Sequence, residues 1–258
     1  MALPFPIPDT LSSAFVMSRC TPADVNAIAE VYYEGFLSDP RNTFWWPPEK
    51  EDMIAWNRRR VRHKMADRTT RHFKITDVQS GDVVAFARWD IPEGHEAVFG
   101  DGNEDGAAAV DVSQVVTAGE NAERDLPVTS APVEAPTPWI TDFPKGSSPE
   151  LLRSLFDKLI VTQEKHKAKT MLGLSLLCTS PKYHRRGAAQ ALMLPMLALA
   201  DAEGLKAYLE ATPLGKPLYE KLGFREIDHL SFDLKKYTDK FDEVYRFSVM
   251  IRDPKSPS

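Results

Sequence analysis

One junction in the chain constrains the fold more than any other. Residues 171–179 form a continuous apolar run, which is typical of a strand buried on both faces of a sheet. After a short loop, residues 187–203 show the apolar spacing of a helix. A strand is expected over residues 207–212, and a short helix over residues 217–222. This order predicts an α/β chain in which helices flank a central sheet.

The rest of the chain supplies further elements. A helix is expected to begin after Thr21, an N-cap residue followed by proline, and to end at Asp39-Pro40. A second helix is predicted over about residues 48–66. The remaining elements are a strand hairpin over residues 72–78 and 83–91, a helix over 149–169, and strands over 224–232 and 244–251.

Residues 92–148 interrupt this pattern, because they are rich in Ala, Gly, Pro, Asp and Glu and show little periodicity. So long a connection without structure is uncommon inside a compact domain. We expect a tolerated surface insertion, with a lid as the alternative. Trp139, Ile140 and Phe143 are expected to anchor its end on the body. The residues by themselves allow one large domain or two small ones.

Charge and composition exclude several classes of protein. The chain of 258 residues has a net charge of -5, which argues against general nucleic-acid binding, although a local basic pocket remains compatible with it. The run Arg58-Arg59-Arg60 is typical of a solvated helix face. With only Cys20 and Cys178, two free thiols in a reducing compartment are expected.

No signal peptide is evident in the first residues, and no stretch approaches the roughly 20 apolar residues of a membrane span. The expected location is therefore cytoplasmic.

The loop before the helix at residue 187 has the features of an anion site. The helix begins at Gly187, followed by Ala188 and Ala189, so unpaired N–H groups can converge on one point. Arg185 and Arg186 add positive charge. From the spacing alone, a pyrophosphate site and an ordinary strand-to-helix turn are equally well supported. The loop lacks both Gly-x-Gly-x-x-Gly and a Gly-Lys-Ser/Thr ending.

The same loop resembles the Gln/Arg-x-x-Gly-x-Gly/Ala pyrophosphate motif of the GCN5-related N-acetyltransferase (GNAT) superfamily. Gly187 and Ala189 stand at its small positions, and His184 stands where Gln or Arg is usual. Downstream, residues 209–213 (Leu-Glu-Ala-Thr-Pro) and 218–224 (Leu-Tyr-Glu-Lys-Leu-Gly-Phe) resemble the second hallmark of that family.

The resemblance covers about residues 19–251 and is closest after Leu174. It implies a single GNAT-like N-acyltransferase domain over residues 1–258, with a long insertion at about 92–148. The implied sheet is mixed, mostly antiparallel, flanked by helices and splayed where coenzyme A binds. The arrangement is similar to that of fungal small-molecule acetyltransferases.

For the cofactor, the resemblance implies acetyl-CoA and no metal ion. The main chain of Leu177, Cys178 and Thr179 is expected to pair with the pantetheine arm and to polarise the thioester carbonyl. The pyrophosphate is expected to lie against six consecutive residues, namely Arg185, Arg186, Gly187, Ala188, Ala189 and Gln190. Cys178 itself is expected to be a small apolar strand residue rather than a nucleophile.

Two residues are candidates for acid–base catalysis. Tyr219 stands where the family places the residue that protonates the departing thiolate, and a phenol with a pKa near 10 can do so. Its alternative role is core packing. Glu210 is the candidate general base, although it could equally bind a structural partner. Asp90, Asp142 and His95 are further candidates that the sequence does not place.

Three aromatic residues, Phe44, Trp45 and Trp46, lie between the first two helices, where GNAT-like proteins shape the acceptor pocket. They could hold an apolar or aromatic amine, or a cation against a ring face, or they could form a hydrophobic plug between the two helices.

The resemblance implies direct transfer of an acetyl group from acetyl-CoA to a primary amine of a small molecule, within one ternary complex. The alternatives are transfer to a hydroxyl, transfer of a longer acyl group, and a non-catalytic acyl-CoA-binding module. Neither nucleic acid nor membrane is expected as a partner. The oligomeric state does not follow from the sequence.

Overall fold

The structure is a computed structural model that describes residues 3–100 and 142–255. The strands are β1 (Phe15–Arg19), β2 (Thr70–Asp77), β3 (Val83–Asp90), β4 (Leu172–Thr179), β5 (Ala207–Ala211), β6 (Arg225–Asp233) and β7 (Val244–Arg252). The helices are α1 (Val25–Leu37), α2 (Lys50–Ala66), α3 (Pro149–Lys165), α4 (Ala188–Ala202) and α5 (Lys216–Lys221).

All seven strands form one open sheet in the order β1-β2-β3-β4-β5-β7-β6. The β4–β5 pair is parallel, and every other pair of neighbours among these strands is antiparallel. The predicted fold class, a mixed and mostly antiparallel sheet flanked by helices, is therefore confirmed.

Strand β1 is the element that the sequence patterns did not predict. It pairs antiparallel with β2 at the edge of the sheet. Phe15 and Met17 are buried, but the residue between them, Val16, is 49% exposed. Because an apolar side chain occupies the solvent face, the alternation that normally marks an edge strand is absent.

Helices cover both faces of the sheet and divide the core in two. Helices α4 and α5 pack on one face, where Trp89 and Leu192 are fully buried. Helices α1, α2 and α3 pack on the other, around Trp56, Phe86 and Leu152. Because side chains alternate along a strand, neighbouring residues of β3 serve different layers. We call these layers the α4 face and the α1 face.

Helix α1 packs closely against the end of β4 at Gly35. A Cβ atom at Gly35 would lie 3.4 Å from the Thr179 carbonyl oxygen and 3.5 Å from the Cβ of Cys178. Both distances are those of ordinary van der Waals contact, so a methyl group would fit at this position. The end of β4 therefore packs directly against α1 on the α1 face.

The chain on either side of residues 101–141 is tied to the body. Before them, the buried Arg71 donates through Nε to the Gly100 carbonyl and through Nη2 to the Glu96 carbonyl. After them, Arg59 forms a two-bond ion pair with Asp142 at 2.9 and 2.8 Å. Both bonds are charge-assisted and fix the orientation of each group.

The predicted insertion at residues 92–148 lies largely outside the described residues, as do Trp139 and Ile140. Phe143 is described and packs against the α1-face core, with the Arg153 guanidinium 5.5 Å from its ring centre. The single-domain organisation with this insertion stays a prediction.

Cys20 and Cys178 are free and buried. Among the helices of residues 3–100 and 142–255, none has the length and apolar character needed to cross a membrane.

A buried ion pair holds the last strand to two helices. Arg252 is 3% exposed and donates two bonds of 2.7 Å to Asp201 of α4. Its Nε also donates to the Leu222 carbonyl at the end of α5, at 3.0 Å. One side chain therefore connects β7, α4 and the chain after α5.

Replacing Arg252 with methionine should lower the free energy of unfolding by about 3 kcal/mol, because Asp201 and a buried carbonyl lose their partner. Urea unfolding measures the loss. Arg225→Met is the matched control, since Arg225 is paired with Asp253 at an exposed site. It should cost less than about 1 kcal/mol. Equal losses in the two variants would contradict this account.

Candidate active site

The site begins where β4 and β5 separate. The two parallel strands pair only over residues 172–174 and 207–209, although β4 continues to Thr179 and β5 to Ala211. Beyond this point β5 still pairs with β7, and β4 still pairs with β3. The sheet therefore opens between two strands that are each held on their other side.

A cleft of about 1410 Å³ occupies this opening and extends under helices α1, α2 and α3. Residues 175–177 of β4 line it and are half-buried. The prediction that β4 is buried on both faces is therefore wrong for these residues. Their main-chain groups on the β5 side have no strand partner, so β4 presents an open edge to the cleft.

A β-bulge bends β4 at the point of separation. Arg88 of β3 is opposite Leu176, and Trp89 is opposite Leu174, so Ser175 has no partner residue. The Ser175 hydroxyl donates a hydrogen bond to the Asp90 carboxylate. A bulge of this kind locally increases the bend and twist of the strand. It directs β4 away from β5.

Two polar contacts and one left-handed residue shape the loop between β4 and α4. Ser180 donates to the Glu34 carboxylate of α1 at 2.8 Å. The His184 Nε2 lies 3.0 Å from the Thr179 carbonyl oxygen, which brings the loop back to the end of the strand. Arg185 has a φ of 61°, an uncommon value for a residue with a side chain. His184, at the position where Gln or Arg is usual, thus has a structural role in this loop.

The loop leads into a row of free main-chain donors. Gly187, with a φ of 85°, is the N-cap of α4. The N–H groups of residues 185–190 have no main-chain or side-chain acceptor within the described ranges. Such a row at a helix N-terminus binds anions. We call residues 185–190 the N–H cradle.

The structure brings most of the predicted cofactor residues together. The cleft is lined by Leu177, Cys178, Thr179, Arg185, Gly187, Ala188, Ala189 and Gln190. Arg186 lies outside the lining, with its guanidinium 5.1 Å from the ring centre of Tyr183. Burial raises the pKa of the Cys178 thiol, so this thiol is neutral.

Glu210 lies on β5 at the separation and faces the α1 side, like Tyr208 two residues earlier. Its carboxylate accepts hydrogen bonds from Gln163 of α3 and from the Tyr208 hydroxyl, both at 2.9 Å. Burial raises its pKa, and the two hydrogen bonds partly offset this effect. The charge of Asp90 raises it further. Glu210 is therefore a carboxylate tuned towards proton uptake, on the wall of the cleft.

Tyr219 approaches the same opening from the α4 face. It is 8% exposed, and its ring packs edge-on against Phe224 at 6.0 Å. A Cβ atom at Gly215 would lie 3.0 Å from the ring, so a larger residue there would displace it. Burial raises the pKa of the Tyr219 phenol, with a smaller contribution from Cys178. The phenol is thus protonated at neutral pH.

The other three candidate bases, Asp90, Asp142 and His95, lie apart from one another, and they differ in whether they line the cleft. Asp90 lines the cleft and accepts from Ser175. Asp142 is engaged by Arg59 and lies outside the cleft lining. His95 is half-buried on the connection after β3, and its Nδ1 lies 3.1 Å from the Glu93 carbonyl oxygen. Of these three, Asp90 is the one that the cleft brings near Glu210.

The three predicted aromatic residues do not share one environment. Trp45 lines the cleft and packs edge-on against Trp56, with ring centres 5.7 Å apart. Phe44 points instead towards Phe232, at 5.5 Å. Trp46 packs against Tyr33 at 5.0 Å. Phe44 and Trp46 therefore belong to an aromatic layer outside the cleft.

Sequence reasoning missed several residues of the cleft wall. Gln163, Tyr208 and Arg88 lie on three different elements, and only the folded chain brings them to the wall of one cleft, where Gln163 and Tyr208 bind Glu210. Arg60 was expected on a solvated helix face, and this expectation is wrong: its guanidinium is 4.3 Å from the ring centre of Trp56 and lines the cleft. One of these contacts could have been found in the sequence: Tyr208 and Glu210 are two residues apart on a strand, so their side chains lie on the same face of the sheet.

Comparison with known proteins relates one stretch of the chain to a known family and the whole fold to solved structures. Residues 159–233 match the family model described as "Acetyltransferase (GNAT) domain". No curated protein matches the sequence. Among solved structures, the chain is similar to a protein of Corynebacterium glutamicum described as histone acetyltransferase HPA2 and related acetyltransferase. The identity is 20%, the TM-score is 0.51, and the match covers 95% of this chain and 99% of that one.

Two other solved structures are also similar. One is a GCN5-related N-acetyltransferase of Rhodopseudomonas palustris, at 11% identity and a TM-score of 0.48, covering 94% of this chain and 98% of that one. The other is a mosquito arylalkylamine N-acetyltransferase like 5b, at 12% identity and a TM-score of 0.48, covering 93% and 99%.

The structural likeness confirms the predicted GNAT fold. The stretch that matches the acetyltransferase (GNAT) domain model, residues 159–233, contains both sequence motifs. A fungal small-molecule subtype stays a prediction.

The hydrogen bonds at Glu210 can be tested by titration. Tyr208→Phe removes a donor to the carboxylate, so the pKa of Glu210 should rise further. Carbon-13 NMR of the labelled carboxyl group measures it. Tyr237→Phe is the control, because Tyr237 packs on Phe44 away from Glu210. An unchanged or lower pKa in Tyr208→Phe would contradict the arrangement.

Proposed function

We propose that this protein transfers an acetyl group from acetyl-CoA to a primary amine of a small molecule, by direct attack in a ternary complex. The observation that carries the proposal is the opening between β4 and β5, which leads from the N–H cradle into a large cleft. The match of residues 159–233 to an acetyltransferase domain supports the donor class.

The open edge of β4 suits the extended pantetheine arm. Main-chain groups of Leu177, Cys178 and Thr179 would pair with its amides as a neighbouring strand would. A free N–H donor on this edge would stabilise negative charge on the thioester oxygen. The N–H cradle would bind the pyrophosphate through its donors and the helix dipole. Acetyl-CoA supplies the activated acetyl group.

Glu210 would act as the general base. An amine reaches the cleft protonated, and it can attack only after losing that proton. The raised pKa of Glu210 brings its proton affinity closer to neutral pH, which makes it a more effective base than an exposed carboxylate. Gln163 and Tyr208 hold the carboxylate in place.

Tyr219 would act as the general acid. Tyr219 lines the cleft, and its raised pKa keeps the hydroxyl protonated. It can therefore give its proton to the departing thiolate. Glu210 and Tyr219 approach the opening from opposite faces of the sheet. Glu210 would thus take the proton from the amine on the acceptor side, and Tyr219 would give a proton to the thiolate on the donor side.

Two alternatives share the same cleft. Transfer to a hydroxyl or of a longer acyl group would use the same donor site, and a binding module would need no acid or base. The presence of Glu210 and Tyr219 at one opening favours catalysis. Trp45 and Phe156 on the cleft wall favour an acceptor with an apolar or aromatic part.

An acceptor panel tests the proposal. Thiol release from acetyl-CoA is followed with primary amines and with alcohols of the same skeleton, and mass spectrometry identifies the product. We expect acetylated amines. Tight coenzyme A binding without turnover on any acceptor would favour the binding module, and acetylated alcohols alone would favour O-transfer.

Tyr219→Phe should lower kcat by about 100-fold, because the thiolate loses its proton donor. The Kd of acetyl-CoA, measured by calorimetry, should change little. Tyr237→Phe removes a phenol outside the cleft and should leave kcat unchanged. If kcat and acetyl-CoA affinity fall together in Tyr219→Phe, the residue has a packing role.

Gly187→Val should raise the Kd of coenzyme A at least tenfold, because a β-branched residue opposes the positive φ that aims the N–H cradle. Gly204→Val is a matched control with the same strain at the other end of α4, where φ is 65°. Both variants should lose stability, but only Gly187→Val should lose affinity. Unchanged affinity would refute the pyrophosphate assignment.

A further inference from the structure

Two arginines line the cleft on its acceptor side. Arg88 projects from β3 and is 9% exposed. Arg60 projects from α2, and its guanidinium lies 4.3 Å from the ring centre of Trp56 and 5.7 Å from that of Phe156. Aromatic rings thus cover one side of this guanidinium, and the cleft borders the other.

Neither arginine has a carboxylate partner among residues 3–100 and 142–255. The Arg88 Nε is buried and forms no hydrogen bond there. Other arginines of the same chain are paired, as in Arg59 with Asp142 and Arg252 with Asp201. A buried cation without a partner is costly to maintain. Such a residue indicates a site at which a ligand supplies the missing anion.

The surroundings do not neutralise the two charges. Burial first, and then the charge of Arg88, lower the pKa of Arg60 to about 10. Burial and the same arginine lower the pKa of the neighbouring His72 to about 3, so this ring is neutral. Lys64 lies 2.9 Å from Asp67. Asp142 has a smaller, opposite effect on the pKa of Arg60. Asp39, Asp90, Glu93 and Glu96 also line the cleft, but within the described ranges none of these carboxylates forms an ion pair with either arginine.

The position of the pair separates it from the N–H cradle. Arg88 is opposite Leu176 of β4 and faces the α1 side, because the adjacent Trp89 packs in the α4-face core. Glu210 faces the same side, across the opening. The two arginines thus border the part of the cleft that an acceptor would fill. The Glu210 carboxylate lies on the β5 side of this space, and the two guanidinium groups lie on the β3 and α2 side.

We propose that Arg60 and Arg88 bind an acidic group, a carboxylate or a phosphate, on the acceptor. This inference rests on the proposed function and names the substrate class as acidic amines. The ammonium group would face Glu210, and the acidic group would receive charge-assisted hydrogen bonds from the guanidinium groups. The ring of Trp45 and the side chain of Phe156 would contact the carbon skeleton.

Matched acceptors test the substrate class. Phenylalanine, its amide, phenethylamine and the aminophosphonate of the same skeleton are compared by kcat/KM. We expect the acidic acceptors to exceed the neutral ones by about 10- to 100-fold, the value of a few charge-assisted hydrogen bonds. A higher kcat/KM for phenylalanine than for the aminophosphonate would identify a carboxylate as the acidic group that the site binds, and the reverse order would identify a phosphate-like group. Equal or better use of the neutral amines would overturn the proposal.

Variants of Arg60 and Arg88 test whether these two residues cause the preference for acidic acceptors. Arg88→Gln and Arg60→Gln should each raise the KM for the acidic acceptor about tenfold, and leave the KM for phenethylamine and for acetyl-CoA nearly unchanged. Arg88→Lys should restore part of the loss. Arg62→Gln, an exposed charge on the same helix, is the control. Parallel losses for acidic and neutral acceptors would indicate a structural role instead.

A binding measurement separates this proposal from the proposed function. Phenylacetate should bind to the resting protein, phenylacetamide should not, and Arg88→Gln should abolish the difference. If phenylacetate binds but no amine is acetylated, the proposed function fails and the anion site stands. If amines are acetylated but phenylacetate does not bind, the anion site fails. Thermal unfolding checks the variant, since removing an unpaired buried charge should not lower its Tm.

Discussion

The early end of hydrogen bonding between β4 and β5 is the constraint on which the site depends. Main-chain N–H and C=O groups inside a protein require partners, and here the strand edges facing the opening have none from each other. Pairing with β3 and β7 on the outer sides keeps the two strands in place. The bulge at Ser175 sets the direction in which β4 leaves, and helix α1 packs against the end of this strand at Gly35. An extended ligand can therefore act as the missing strand.

The sheet also separates the two candidate acid–base residues onto its opposite faces. Alternation along β5 places Glu210 on the α1 face, whereas Tyr219 reaches the opening from the α4 face, after the chain has turned through α5. The candidate base and the candidate acid thus lie on opposite sides of the opening. Helix α3 contributes Gln163 to the base, so the acceptor side depends on contacts between distant segments.

Burial governs the electrostatics of the cleft. It keeps the phenol of Tyr219 and the thiol of Cys178 neutral, and it raises the proton affinity of Glu210. The same burial makes the unpaired charge of Arg88 costly, which is why a ligand with an acidic group is the partner that the structure indicates. A neutral phenol and thiol beside the donor site, and charged groups on the acceptor side, are consistent with a reaction between a thioester and an amine.

Local signals in the sequence determined the elements after residue 171 and the N–H cradle, because apolar periodicity and the positive φ of Gly187 are properties of neighbouring residues. The edge strand β1 escaped notice, since Val16 breaks its alternation. Only the tertiary structure decided that Trp45 lines the cleft while Phe44 and Trp46 do not, and that Arg60 leaves the solvated face of its helix. Those facts depend on contacts between segments far apart in the chain, which no local pattern encodes.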